Sequence, residues 1–171
     1  MKIIGSHKMN VKRRAVEDQD LAKFNTVVVA LKQALDENLV AIVLFGSRAR
    51  GEAHEASDWD LLLLAHDLPE KLFKRHLYLK GLLPDIWRGQ VSIVAKTPQE
   101  FEANLPCLFL DIAVDGVIFY DSDNYMADQL DYLRRLIKEA GLHREQHKGD
   151  FNWRWPEFPG SNWSLKWRVS Q

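Results

Sequence analysis

Two short groups of residues stand out for what they could do together. Between Leu44 and Leu64 the chain reads LFGSRARGEAHEASDWDLLLL, in which Gly46 and Ser47 close one apolar run and Asp58, Trp59 and Asp60 open the next. Side chains alternate along an extended segment, so Asp58 and Asp60 share one face while Trp59, Leu61 and Leu63 take the other. Two carboxylates on one face repel, and a divalent cation between them removes that cost. Oxygen donors that leave coordination positions open suit Mg2+ or Mn2+ held jointly with the phosphates of a nucleotide. The Gly-Ser pair is the complement. Lacking a Cβ, Gly46 lets backbone amides come close to a phosphate, and the Ser47 hydroxyl can donate to it. Arg48 and Arg50 add positive charge for a triphosphate, although arginines in a loop also occur simply solvated. The plain alternative is a strand-ending turn at Gly46-Ser47 and a solvated strand start at Asp58 and Asp60.

The layout resembles the signature of the DNA polymerase β-like nucleotidyltransferase superfamily, a Gly-Ser turn, a spacer of this length and Asp-x-Asp on a strand. Phe45-Gly46-Ser47-Arg48-Ala49-Arg50-Gly51 is similar to the wording of its small stand-alone members, the minimal nucleotidyltransferases. The resemblance runs from about Leu21 to Tyr120. It implies an enzyme that moves a nucleoside monophosphate from a triphosphate, ATP foremost, to an acceptor hydroxyl, with pyrophosphate leaving. Asp58 and Asp60 would be the catalytic pair and hold Mg2+ or Mn2+, while Gly46, Ser47, Arg48 and Arg50 bind the nucleotide. It also implies a partner, a small all-helical protein of the HEPN type onto which some members transfer AMP. One departure bears on turnover. Members that catalyse transfer add a third carboxylate on a later strand, and in Gln90-Val91-Ser92-Ile93-Val94-Ala95-Lys96 its phase falls on Ser92. Asp85 is the nearby substitute, or else a surface residue where a helix ends. The alternative function is therefore a catalytically weakened module of the same fold that binds nucleotide or a partner as a regulator.

Several elements must position these groups. Leu21, Phe24, Val27, Val28, Leu31 and Leu35 recur by threes and fours, which predicts an amphipathic helix within 18–37. Val40–Phe45 and Asp58–Ala65 read as strands, the first apolar enough to be buried on both faces. A helix is expected over Leu68–Leu83, ended by Pro84, then a strand over Gln90–Lys96. Thr97-Pro98-Gln99-Glu100 spells a capping box with Pro at the first helical position. A short strand at Gly116–Tyr120 and a helix at Asn124–Ala140 follow, with Gly141 as the stop. The expected fold is α/β (α+β): a small mixed sheet of about four strands with helices packed on one face. Residues 1–17 read as an N-terminal arm, 18–140 as the nucleotidyltransferase domain and 141–171 as a Trp-rich extension packed on it, held by Trp153, Trp155, Trp163 and Trp167 without regular structure.

Composition excludes other classes. The chain has 171 residues with a formal charge of −1, so no overall field points to nucleic acid or an anionic membrane. Hydrophobic residues make up 46% and charged residues 27%, which places it among globular proteins. Met1–Arg14 offers only Ile3 and Ile4 as an apolar pair, short of an export signal, and no run is long enough for a membrane span. A cytoplasmic protein is expected. Cys107, the single cysteine, reads as a core residue and rules out an internal disulfide. His54 and Glu55 read as loop residues, and His76, His143 and His147 form no metal-ligand set.

Overall fold

The computed structural model describes residues 18–147 and 150–156. The first helix, α1, spans Asp18–Leu35, and a 3-10 turn at Asp36–Asn38 leads into strand β1, Leu39–Phe45. A short helix α2, Gly46–Arg50, comes next, then β2, Trp59–Ala65, helix α3, Leu72–Leu82, and β3, Val91–Lys96. The chain continues through α4, Pro98–Ala103, α5, Cys107–Asp115, β4, Val117–Asp121, and α6, Tyr125–Glu139. It closes with β5, His143–His147, and β6, Asp150–Arg154.

Four strands form a mixed sheet in the order β3-β2-β1-β4. β1 is antiparallel to both β2 and β4, while β2 and β3 run parallel. A parallel pair needs a crossover, and α3 supplies it. The class and the four-strand sheet are as the sequence leads one to expect. The placement of helices on one face is corrected, because each face carries its own core. On one face Phe24, Val27 and Leu31 of α1 meet Ile42, Leu44, Trp59, Leu61 and Leu63. Phe24 stacks on Trp59 with ring centres 4.1 Å apart, and Trp87 stands edge-on to both. On the other face Phe109 and Ile112 of α5 and Met126, Leu130 and Leu133 of α6 cover Ala41, Val43, Leu62 and Leu64. The physical reason lies in the strands: Leu39–Leu44 and Leu61–Ala65 are apolar at every position, so both faces need cover.

Helix α5 is a second correction. Its start exposes Cys107, which is therefore not a core residue. The C-terminal segment is a third, since β5 and β6 pair as an antiparallel hairpin where no regular structure was expected. Trp153 and Trp155 pack against the second core. Trp163, Trp167 and the arm 1–17 lie outside the described residues. Among the described residues, no helix is long and apolar enough to cross a membrane.

The capping box forms as spelled: Thr97 Oγ1 accepts from the Glu100 amide at 3.2 Å, and the Glu100 carboxylate accepts from the Thr97 amide at 2.9 Å. Glu100 also takes the guanidinium of Arg75 at 2.6 and 2.9 Å, and Arg75, only 3% exposed, donates to the carbonyls of Pro69 and Ala95 as well. The pair ties α3 to α4 across the edge of β3. Arg75's hydrogen bonds hold the Glu100 carboxyl down at about 2, from an ordinary 4.5. A depressed acid stabilises the fold above its unfolded value, and that contribution is lost as pH falls from 4.5 towards 2. The Glu100 side chain is 39% exposed. Solvent screening therefore reduces its worth to about 1–2 kcal/mol. Urea midpoints of the parent and Glu100→Gln are expected to differ at neutral pH and to converge through this window; a gap independent of pH would mean that the charge contributes nothing.

Candidate active site

The Gly-Ser pair opens a helix rather than a loop. Gly46 begins α2 with φ 75°, and an ideal Cβ on it would stand 2.5 Å from Asp60 Oδ2. The carboxylate therefore lies against the Gly46 backbone, and the register that pairs Phe45 with Asp60 brings it there. A side chain at this position would meet both a strained φ and the carboxylate. Gly51, also at φ 75°, ends the helix, and the Glu52 amide closes back on the Ser47 carbonyl at 2.9 Å.

Arg48 anchors the loop that follows. Its Nε and Nη2 donate to the Ser57 carbonyl at 3.0 and 2.7 Å, and its Cζ stands 4.4 Å from the centre of the Trp59 ring. The loop is fastened to itself where the Ser57 hydroxyl accepts from the His54 amide at 3.0 Å. With Trp59 locked into the first core, this clamp holds both neighbours of Asp58, the residue just ahead of β2. Arg48 thus holds the loop, whereas Arg50 is near the carboxylates.

Asp58 is exposed and Asp60 half-buried. Burial first, and then the charge of Asp58, push the Asp60 carboxyl above its usual range, while Arg50 pulls it down. Asp58 and Arg50 thus both act on Asp60, which lies against Gly46. Arg50 is steadied by Glu52, whose carboxylate accepts from its Nε at 2.7 Å.

Ser92 is in register with Asp60 on the adjoining parallel strand. Residues paired across two strands share a face, so the serine stands beside the carboxylate. Asp85 does not take its place. It belongs to a 3-10 turn whose Trp87 packs into the opposite core, its side chain is 85% exposed, and it pairs with Arg88 at 2.8 Å. Among the described residues, no group of three or more His, Cys, Asp or Glu converges as a metal site. The donor set is a carboxylate pair. Its chemistry fits a divalent cation shared with a ligand that brings further oxygens, because both groups are hard oxygen donors whose mutual repulsion a cation relieves. Sequence reasoning missed one neighbour of this site, Phe151 of β6, whose ring centre lies 4.8 Å from Arg50 Cζ.

The Gly-Ser helix start, Asp60 on the adjoining strand, Asp58 just ahead of it and the four strands of the mixed sheet all lie within one stretch that matches a nucleotidyltransferase family. Residues 29–125 match the family described as polymerase beta, nucleotidyltransferase, and the chain belongs to it. It is 34% identical over 111 residues to the Methanocaldococcus jannaschii "Putative protein adenylyltransferase MJ1305", a span of 63% of this chain and 76% of that one. Its fold is similar to the crystal structure of a toxin-antitoxin with AMP-PNP, at TM-score 0.51 and 19% identity over 68% of this chain and 88% of that one. It is also similar to a mutant of the toxin-antitoxin MntA-HpeT, at TM-score 0.50 and 17% identity, with the same coverage.

Proposed function

We propose that this chain transfers a nucleoside monophosphate, AMP foremost, from a triphosphate to a hydroxyl of a partner protein. The observation that carries the reading is Asp60's carboxylate lying against the backbone of Gly46, the first residue of the short helix that ends in Arg50, with Asp58 two residues ahead of Asp60. Asp58 and Asp60 hold Mg2+ or Mn2+, which supplies charge neutralisation at the transferred and leaving phosphates. Gly46 and Ser47 bind phosphate oxygens through backbone amides and the serine hydroxyl, and Arg50 grips the triphosphate beside them. Arg48 contributes by holding the loop that presents Asp58. The acceptor oxygen bonds to the α-phosphorus as the bond from that phosphorus to the bridging oxygen breaks, and pyrophosphate departs with the electron pair. The acceptor's proton goes to water, since Ser92 offers no carboxylate to receive it.

A protein acceptor is supported by the name of the Methanocaldococcus jannaschii relative and by the toxin-antitoxin assemblies among the fold neighbours, one of them with AMP-PNP. An all-helical HEPN-type partner fits that pattern, as does a cytoplasmic setting in which Cys107 stays a thiol. The second reading, a nucleotide-binding regulator with weakened turnover, rests on Ser92. The test is incubation of the full chain with ATP, Mg2+ and an all-helical protein encoded beside it, with pyrophosphate release and the mass of both proteins followed together. AMP on the partner supports transfer. Nucleotide binding without a mass change favours the regulator, and failure to bind Mg2+-ATP at all overturns both.

A further inference from the structure

The β5–β6 hairpin lies outside the residues that match the family, yet it reaches the site. Its register sets Arg144 opposite Trp153 and Gln146 opposite Phe151, so these four side chains share one face. That face is fastened to α5. Arg144 Nη1 donates to Asp115 at 2.5 Å and to Asp111 at 3.3 Å, and the Trp153 indole donates to Asp111 at 3.0 Å. Arg144 also stands over the Phe151 ring, its Cζ 4.1 Å from the centre. The ring is therefore held by a guanidinium that two carboxylates hold in turn. Arg50 rests on this same ring.

Guanidinium over an aromatic face is an attractive contact, because the ring's quadrupole presents negative charge to it. With Nε tied to Glu52 and the head on Phe151, Arg50 is kept at 20% exposure at the end of α2, the helix whose first residue, Gly46, lies against Asp60. Among the described residues its Nη1 and Nη2 make no hydrogen bond, so the fork that suits a phosphate remains available. An arginine held in place loses less freedom on gripping a ligand than one that samples solvent. We infer that Phe151 is a positioning residue for Arg50, through which the C-terminal hairpin sets how tightly the site holds the phosphates of its nucleotide. The inference rests on the proposed function for the identity of that ligand, and on geometry alone for the contact.

Two measurements separate these. The first needs no nucleotide: the rate at which phenylglyoxal modifies Arg50 in the full chain, read by peptide mass spectrometry. Phe151→Ala is expected to raise it several-fold, whereas Phe151→Tyr, which keeps the ring, leaves it at the parent value. The second is the KM for Mg2+-ATP. Phe151→Ala is expected to raise KM roughly two- to thirtyfold, the span of a cation–π contact expressed as an equilibrium ratio, with kcat within about twofold of the parent. In an Arg50→Ala background the same change is expected to have no further effect. An Arg50 labelling rate unmoved by Phe151→Ala, or an equal rise in KM in both backgrounds, overturns the inference. A parent that binds no Mg2+-ATP overturns the proposed function instead, and the labelling rate still decides the contact. Should Phe151→Ala loosen the whole hairpin, Phe151→Leu keeps the apolar bulk without the ring and carries the same two readings.

Discussion

Asp58→Ala and Asp60→Ala are each expected to lower nucleotidyl transfer by about a thousandfold or more while leaving the fold intact. Each change removes half of the proposed carboxylate pair, and among the described residues no group of three or more His, Cys, Asp or Glu is there to compensate. The remaining carboxylate is a single weak donor, so binding of Mg2+ together with nucleotide should fall in step with activity. The fold should survive for an electrostatic reason. An acid whose carboxyl is raised in the folded state binds its proton more tightly there than in the unfolded chain, so its ionisation costs stability as pH rises through the raised range. Metal-free Asp60→Ala is therefore expected to melt at or above the parent temperature at neutral pH, with the advantage fading once pH falls below the ordinary carboxylate range. Transfer assays, Mg2+-ATP titration and thermal melts in chelator check the three parts. Parent-like activity in both variants would remove the pair from the chemistry, and a melting temperature well below the parent's would make it structural.

The sequence made this site more legible than its surroundings. Gly46, Ser47, Asp58 and Asp60 are readable because the pattern of their types and spacing lies within a short stretch of the chain, and the structure sets the Asp60 carboxylate against Gly46 with Asp58 just ahead of the strand. What lies around them depends on packing that local pattern does not encode. Helix α5 escaped the periodicity because Asp111 and Asp115 are its only charged residues among Leu108, Phe109, Leu110, Ile112, Ala113 and Val114, a polar stripe too narrow to set a helical period. The strand runs Leu39–Leu44 and Leu61–Ala65 demanded cover on both faces, and α5 is part of that cover. In the hairpin, Phe151 and Trp153 alternate but His143–His147 is polar throughout, so neither strand announces its partner. Arg48 and Arg50 look equivalent in sequence. Tertiary contacts divide them, one onto Trp59 and the Ser57 carbonyl, the other onto Phe151 beside Asp60.

Ser92→Asp is expected to raise transfer tenfold or more, since a positioned general base contributes roughly 10² to 10⁴ in rate. The expectation rests on register: Ser92 pairs with Asp60 across parallel strands, so an aspartate there would stand on the same face as Asp60. The site is built to accept it. Ser92 is exposed on β3 at the edge of the sheet, so the new carboxylate is not forced into the core, and a cation held by the proposed carboxylate pair would offset the added charge. Without a cation the variant carries one more like charge beside Asp58 and Asp60, so a slightly lower melting temperature in chelator and a larger rise on adding Mg2+ are expected. Ser92→Asn separates charge from size, because it has nearly the shape of aspartate but can neither take a proton nor neutralise a cation. Gain in Ser92→Asp alone, with tighter Mg2+ binding, would show a scaffold competent for chemistry that lacks a single carboxylate. A parent already fast, and no gain in the variant, would place the proton acceptor on the partner or the nucleotide. Asp85 is a poor candidate for that task, because it is spent on Arg88 in a turn that packs against the opposite face of the sheet.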